Sequence, residues 1–231
     1  MITISKALQA VQTRILCAAT QCGRAADSIE LIAVSKRVQV ETLRSAFAAG
    51  QRAFGESYVQ EALPKIAALK NLAITWHFIG PLHSNKTKLV AENFAWVLGV
   101  ERIKIAQRLS EQRPAHLPNL NLCLQVNVSG EASKAGVAPT EVYALAQAVA
   151  TLPKIKLRGL MAIPAATQDV VLQHTQLRLL RNLYDQLNAQ GFALDTLSMG
   201  MSDDLEAAIA EGATQLRVGS AIFGTRVNVE K

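Results

Sequence analysis

Eight short apolar runs, each followed by a stretch with helical spacing, divide the chain between residues 31 and 219. This alternation constrains the fold more than any other feature. The runs cover residues 31–35, 52–55, 74–79, 95–100, 120–128, 157–163, 196–200 and 215–219. Short apolar segments of this kind suit strands buried on both faces. Helical patterns fill the gaps at 40–49, 59–69, 86–93, 102–111, 140–151, 170–190 and 205–211, and a further helix over about 3–22 precedes the first strand. Repeated βα units predict an α/β protein with a parallel sheet. Eight of them predict a closed (β/α)8 TIM barrel with an extra N-terminal helix. An open doubly wound sheet, the main competitor, carries a Gly-rich turn after its first strand. Here that strand runs into Ser35-Lys36-Arg37. No Pro/Gly/Ser-rich linker interrupts the 231 residues, so residues 1–231 read as a single domain.

Composition removes several function classes. The net charge is +6, but the positive residues are scattered singly, with no basic arm and no basic stretch interleaved with aromatics. No nucleic-acid partner is expected. Local positive charge serves a phosphorylated small molecule equally well. No apolar segment is long enough to span a membrane, and the start, MITISKALQAVQTRIL, has helical spacing without a leader-type apolar core. Cys17, Cys22 and Cys123 are odd in number and lack metal-type spacing. They read as reduced thiols in a cytoplasmic protein without a metal site.

In a barrel the carboxyl ends of all strands meet at one face, and chemistry is built there. Those ends read Ser35-Lys36, Gly55-Glu56-Ser57, His77-Phe78-Ile79-Gly80, Asn127-Val128-Ser129-Gly130, Met161-Ala162-Ile163-Pro164, Ser198-Met199-Gly200-Met201-Ser202 and Arg217-Val218-Gly219-Ser220. The result is a polar, glycine-containing rim around one lysine. A lysine just past a buried strand sits where half-dry surroundings lower its pKa, and a partly neutral amine forms an imine with an aldehyde. The plain alternative is a lysine marking where a strand meets water. The turns after strands seven and eight are the usual barrel phosphate site. Gly200 permits the first turn, Ser202 is placed as the N-cap of the helix that follows, and Gly219-Ser220 repeats the arrangement. Asp203 and Asp204 are expected to favour the helix dipole rather than face an anion. Arg217 suits a phosphate, a carboxylate or a ring nitrogen, or else a glutamate partner. His77 reads as a hydrogen-bonded core histidine rather than a base, and His83, Lys86 and Lys88 as a solvated face. Lys134 lies in a loop near the mouth, either as a surface residue or as a second aldehyde or phosphate contact. An aldehyde held by a lysine, with a phosphate held opposite, suggests pyridoxal 5′-phosphate (PLP). A phosphosugar imine meets the same demands.

These motifs together resemble the pyridoxal phosphate homeostasis proteins, which have the fold of the alanine racemase N-terminal domain. The resemblance runs nearly end to end. It rests on Ala33-Val34-Ser35-Lys36, Phe54-Gly55-Glu56 with Tyr58-Val59-Gln60-Glu61-Ala62, Trp76 through Leu82, Ser84-Asn85-Lys86 and Gln125-Val126-Asn127. It continues in Ser133-Lys134, Gly159 through Pro164, Leu197 through Asp204 and Arg217 through Gly224. It implies that Lys36 carries the cofactor as an internal aldimine and that Met201, Ser202, Gly219 and Ser220 cradle its phosphate. Arg217 would then lie near the pyridine nitrogen, with Lys134 handling cofactor away from the main site. Ser57, His77, Met161 and Ser198 complete the expected cofactor contacts. Ser57 stands where the family usually has asparagine, His83 where glutamine is common, and Leu98-Gly99-Val100-Glu101 departs from the usual Ser-Val/Ile-Asp.

The resemblance implies a monomeric carrier or regulator in vitamin B6 homeostasis, without turnover, that supplies cofactor to apo PLP-dependent enzymes. The alternative is a weak amino-acid racemase or another PLP-dependent enzyme. An arginine beside the pyridine nitrogen leaves that nitrogen unprotonated and the ring a poorer electron sink. Racemisation also needs a base on each face of the α-carbon. After strand eight only a short helix and tail are expected, too little for the second domain that supplies one base in barrel racemases.

Overall fold

The computed structural model describes residues 3–131 and 134–224. Eight parallel strands close into a barrel in sequence order, with the first bonded to the last. They are β1 Glu30–Val34, β2 Ala53–Glu56, β3 Thr75–Phe78, β4 Trp96–Val100, β5 Leu120–Gln125, β6 Ile155–Met161, β7 Thr196–Ser198 and β8 Gln215–Val218. The helices are α1 Ile4–Gln21, α2 Val40–Ala48, α3 Val59–Ala68, α4 Thr87–Asn93, α5 Ile103–Gln112, α6 Val142–Ala150, α7 Val170–Ala189, α8 Leu205–Ala210 and α9 Ser220–Phe223. The expected (β/α)8 barrel and its N-terminal helix are both present.

Boundaries moved for identifiable reasons. β5 stops at Gln125 rather than 128 because the returning loop takes over the backbone. Val137 N donates to Gln125 O at 2.8 Å, and Asn127 N donates to Val137 O at 3.0 Å. β6 starts two residues early, since Leu120 N already pairs with Lys154 O at 2.9 Å. β7 ends at Ser198 because Gly200 turns into the left-handed region with φ of 95°. A Cβ there would sit 2.6 Å from both the Ala208 Cβ and a Leu216 methyl, so only glycine fits.

The apolar surface divides into two layers. Outside the barrel, strand residues such as Ala33, Phe54, Phe78, Val97, Leu122 and Leu160 pack against the helices. Inside, Ile32, Ala53, Trp96, Leu98, Cys123 and Met161 form a separate cluster. Alternation along each strand produces both layers. α1 begins at Thr3, whose hydroxyl accepts from Lys6 N, and buries Leu8, Val11, Ile15, Ala18 and Ala19 on one stripe. That stripe packs against α8 and α9, which places α1 beside the loops after β7 and β8. Truncating Leu8, which is fully buried, to alanine costs about 2–5 kcal/mol.

Candidate functional site

β1 ends at Val34, and the next two side chains part ways. Ser35 points outward into a fully buried position and donates to Glu56 Oε1 at 2.6 Å. Lys36 points to the barrel mouth and lines a cavity of about 470 Å³. The other walls are Val34, Ile79, Ile163 and Met201, with Ser57, Ser202, Asp203, Arg217, Gly219, Ser220 and Gly224 supplying the polar side. Its size matches a small-molecule site.

The loops after β7 and β8 meet at two hydroxyls. Ser220 Oγ donates to Ser202 Oγ at 3.0 Å, and Ala221 N approaches the same Ser202 oxygen at 3.4 Å. Ser202 is not the helix cap expected from the sequence. α8 starts at Leu205, where the helical pattern placed it, but Asp204 rather than Ser202 takes the capping position, so the Ser202 hydroxyl is left to face Ser220. Asp204 Oδ1 accepts from Met201 N at 2.6 Å. Asp203 lines the cavity, where the sequence had turned both aspartates toward the helix. Arg14, from the N-terminal helix, braces this loop. Its Nη2 donates to Ser202 O at 3.0 Å while its other nitrogen pairs with Glu206 at 2.7 Å.

Arg217 enters the barrel from β8 and is 4% exposed. Its Nη1 donates to Ser198 Oγ at 2.8 Å and its Nη2 to Ala162 O at 2.7 Å. Among the described residues no carboxylate pairs with it directly. Burial pulls its pKa down to about 10, against the pull of Asp204, so it is a cation at neutral pH.

Lys36, Ser57, Met201, Ser202, Arg217, Gly219 and Ser220 therefore share one cavity. Ser198 lies behind Arg217 and Met161 lies in the interior cluster, and neither lines it. His77 is farther off. It is fully buried and stacked on Trp96 at 5.5 Å between ring centroids, and its Nε2 is 3.8 Å from Glu30, the first residue of β1. That puts it toward the floor of the barrel. Lys134 lines a different cavity of about 840 Å³, with Glu101, Arg102 and Glu141 at its rim and Ile103 and Leu145 among its apolar walls.

Sequence reasoning missed Lys65 and Arg14. Lys65 lies in α3 but is 5% exposed and contacts Ser35, Glu56 and Glu61. The only local signal was its spacing four residues after Glu61.

The donor set fits PLP: one amine for an aldehyde, two adjacent hydroxyls with a backbone N–H for a phosphate, and one guanidinium. Known proteins agree with this chemistry. The alanine racemase N-terminal domain profile matches residues 7–227. A pyridoxal phosphate homeostasis protein of Pseudomonas aeruginosa is 58% identical over 226 residues, spanning 98% of this chain and 97% of that protein. The structure of PipY from Synechococcus elongatus, with PLP bound, superposes with a TM-score of 0.83 at 36% identity and covers 96% of this chain and 100% of its own. Alanine racemase of Corynebacterium glutamicum shares the fold alone, with a TM-score of 0.69 at 15% identity over 97% of this chain and 64% of that one. By profile and by end-to-end identity, the chain belongs to the alanine racemase N-terminal domain family and, within it, to the pyridoxal phosphate homeostasis proteins.

Proposed function

We propose that this protein binds PLP covalently through Lys36 and serves intracellular vitamin B6 homeostasis as a carrier rather than a catalyst. The observation that carries the reading is the shared cavity, with Lys36, the Ser202–Ser220 hydroxyl pair and Arg217 in its walls. Ser202 and Ser220, with the backbone around Met201 and Gly219, would hold the phosphate. Arg217 would face the ring, with Ser57 beside it. When bound, PLP supplies an aldehyde for attachment and, in enzymes, a ring that accepts electrons. A fixed guanidinium next to a ring nitrogen disfavours that nitrogen's proton and weakens the electron-accepting role.

The lining supports the same conclusion. Beside Lys36 and Arg217, the one ionisable side chain among the described lining residues is Asp203, which is exposed; no histidine or tyrosine is present. Abstracting and returning a proton on opposite faces of a carbon needs two placed bases. The homeostasis name of the Pseudomonas aeruginosa relative and the PLP held by PipY favour the carrier reading. Release to apo PLP-dependent enzymes by a cytoplasmic monomer completes the proposal, with residues 1–231 acting as one domain. Among the described residues no helix is long and apolar enough to cross a membrane.

The test is spectroscopic. Mixing the protein with PLP is expected to produce a near-visible band, and borohydride reduction followed by peptide mapping to place the label on Lys36. Lys36→Ala is expected to lose both. Label on another lysine, or an unchanged band in that variant, overturns the assignment. Exchange of an amino-acid α-proton by the wild type, absent in Lys36→Ala, would favour an enzyme instead.

A further inference from the structure

We infer that Lys65, acting with Glu56 and Glu61, is a positioning residue for Lys36 that holds the backbone on both sides of it. The inference rests on the proposed role of Lys36. The orientation of a side chain at its Cα is set by the two flanking peptide planes. Here both planes are tied to one buried ion group. The Ser35 carbonyl, in the plane before Lys36, accepts from Lys65 Nζ at 2.8 Å. The Arg37 N–H, in the plane after Lys36, donates to Glu61 Oε1. Lys65 Nζ joins the two by bonding Glu61 Oε1 at 2.5 Å and Glu56 Oε1 at 2.9 Å. Glu56 Oε1 in turn accepts from the Ser35 hydroxyl.

The geometry held in this way is not one the chain adopts freely. Arg37 sits in the left-handed region at φ 59°, which is costly for a residue with a Cβ. Val38 N closes a turn onto the same Ser35 carbonyl at 3.0 Å. The ion group lies on the helix side of the barrel wall. Lys65 is 5% exposed and Glu56 fully buried, and neither lines the cavity that holds Lys36. Their influence on the amine therefore passes through the backbone. Glu56 also keeps its second oxygen, Oε2, buried without a partner, so Lys65 is its main compensation. A buried pair of this kind is retained more readily for geometry than for net stability.

Covalent capture joins the Lys36 nitrogen to an aldehyde carbon as C=N and releases one water. Its rate depends on how well the amine is aimed, and a misplacement of about 1 Å costs on the order of 100-fold. Lys65→Met is expected to slow capture of PLP by roughly 10- to 100-fold, read from growth of the near-visible band. The measurement is made at a temperature where circular dichroism shows the native fold. Lys65→Met strands the Glu56 carboxylate and can prevent folding, so Glu61→Ala is the second variant. It removes the acceptor of the Arg37 N–H from a partly exposed position and is expected to slow capture in the same direction. Lys65→Arg keeps the donors and is expected to restore most of the rate.

Affinity for pyridoxine 5′-phosphate separates aiming from collapse of the site. This ligand has the ring and phosphate but an alcohol in place of the aldehyde, and the variants are expected to bind it as the wild type does. Unchanged capture rates in the folded variants overturn the inference. An equal loss of pyridoxine 5′-phosphate affinity does so as well, because it would show a general disturbance of the cavity. A wild-type protein that captures no PLP at all overturns the functional reading, and the inference with it.

Discussion

The two ends of the barrel each hold an arginine against the interior, and the chain treats the two differently. At the floor, Arg158 lies 4.6 Å above the Trp96 ring and grips Asp195 with bonds of 2.8 and 2.9 Å. It also donates to Asn121 Oδ1 at 2.8 Å. At the mouth, Arg217 donates to a hydroxyl and a carbonyl oxygen and, among the described residues, has no carboxylate partner. A desolvated cation without an anion is expensive, and chains tolerate one mainly where function requires it. The floor is therefore a closed polar plug, whereas the mouth keeps a charge that a ligand can complete. The lysines repeat the contrast, since Lys65 is saturated by Glu56 and Glu61 while Lys36 faces the cavity.

Acid should affect the floor most. Burial lowers the His77 pKa from its ordinary 6.5 to about 4, against the backbone carbonyl of Thr75, which favours the charged form. Between those values the unfolded chain binds a proton that the folded chain refuses. Stability contributed by neutral His77 is therefore complete above pH 6.5 and lost as pH falls toward 4. The loss is on the order of 3 kcal/mol. Glu30, whose carboxyl is pushed up by burial, offsets part of it near the lower end. Denaturant unfolding at pH 7.5 and pH 5 measures the slope. His77→Phe keeps a ring against Trp96 and should remove that part of it. Equal stability of the wild type at both values breaks the account of the floor. Arg158→Ala comes next. It removes a cation over an aromatic ring and a half-exposed ion pair, and should cost about 1–2 kcal/mol without changing ligand affinity.

How much of this was legible depended on how local each property was. Strand period and turn residues are local, so β1, the Gly200 turn and the Gly219-Ser220 turn were readable. Lys36 followed from its place one step past a buried strand. Depth along the barrel axis was not readable. His77 and Met161 do point inward, as their parity requires, but their height depends on the stagger of neighbouring strands. His77 pairs with Trp96, the first residue of β4, and approaches Glu30, the first residue of β1, and so falls near the floor. Ser202 was misread as a cap because the capping position lies two residues further on, at Asp204, a difference below the precision of a periodicity argument. Lys65 was invisible for a non-local reason, since its partners Glu56 and Ser35 lie outside its own helix, at the ends of β2 and β1.

The mouth should respond in the opposite way to the floor, through binding rather than stability. Arg217→Met replaces a buried cation lacking a carboxylate with an apolar chain of similar length, so the unfolding midpoint should hold or rise. PLP affinity should fall roughly tenfold, as expected for losing one charge-assisted contact. If stability collapses instead, Arg217 is structural and the contrast between the two ends fails. The smallest effect belongs to the hydroxyl pair. Ser202→Ala and Ser220→Ala each remove one hydroxyl donor to the phosphate while the neighbouring backbone N–H groups remain, so each is expected to cost about 1 kcal/mol, roughly fivefold in affinity. The two hydroxyls are 3.0 Å apart and would share one anion, so their losses should not add in the double variant. Strictly additive losses would mean that the two serines hold different groups, and phosphate binding would then have to be sought elsewhere on the rim.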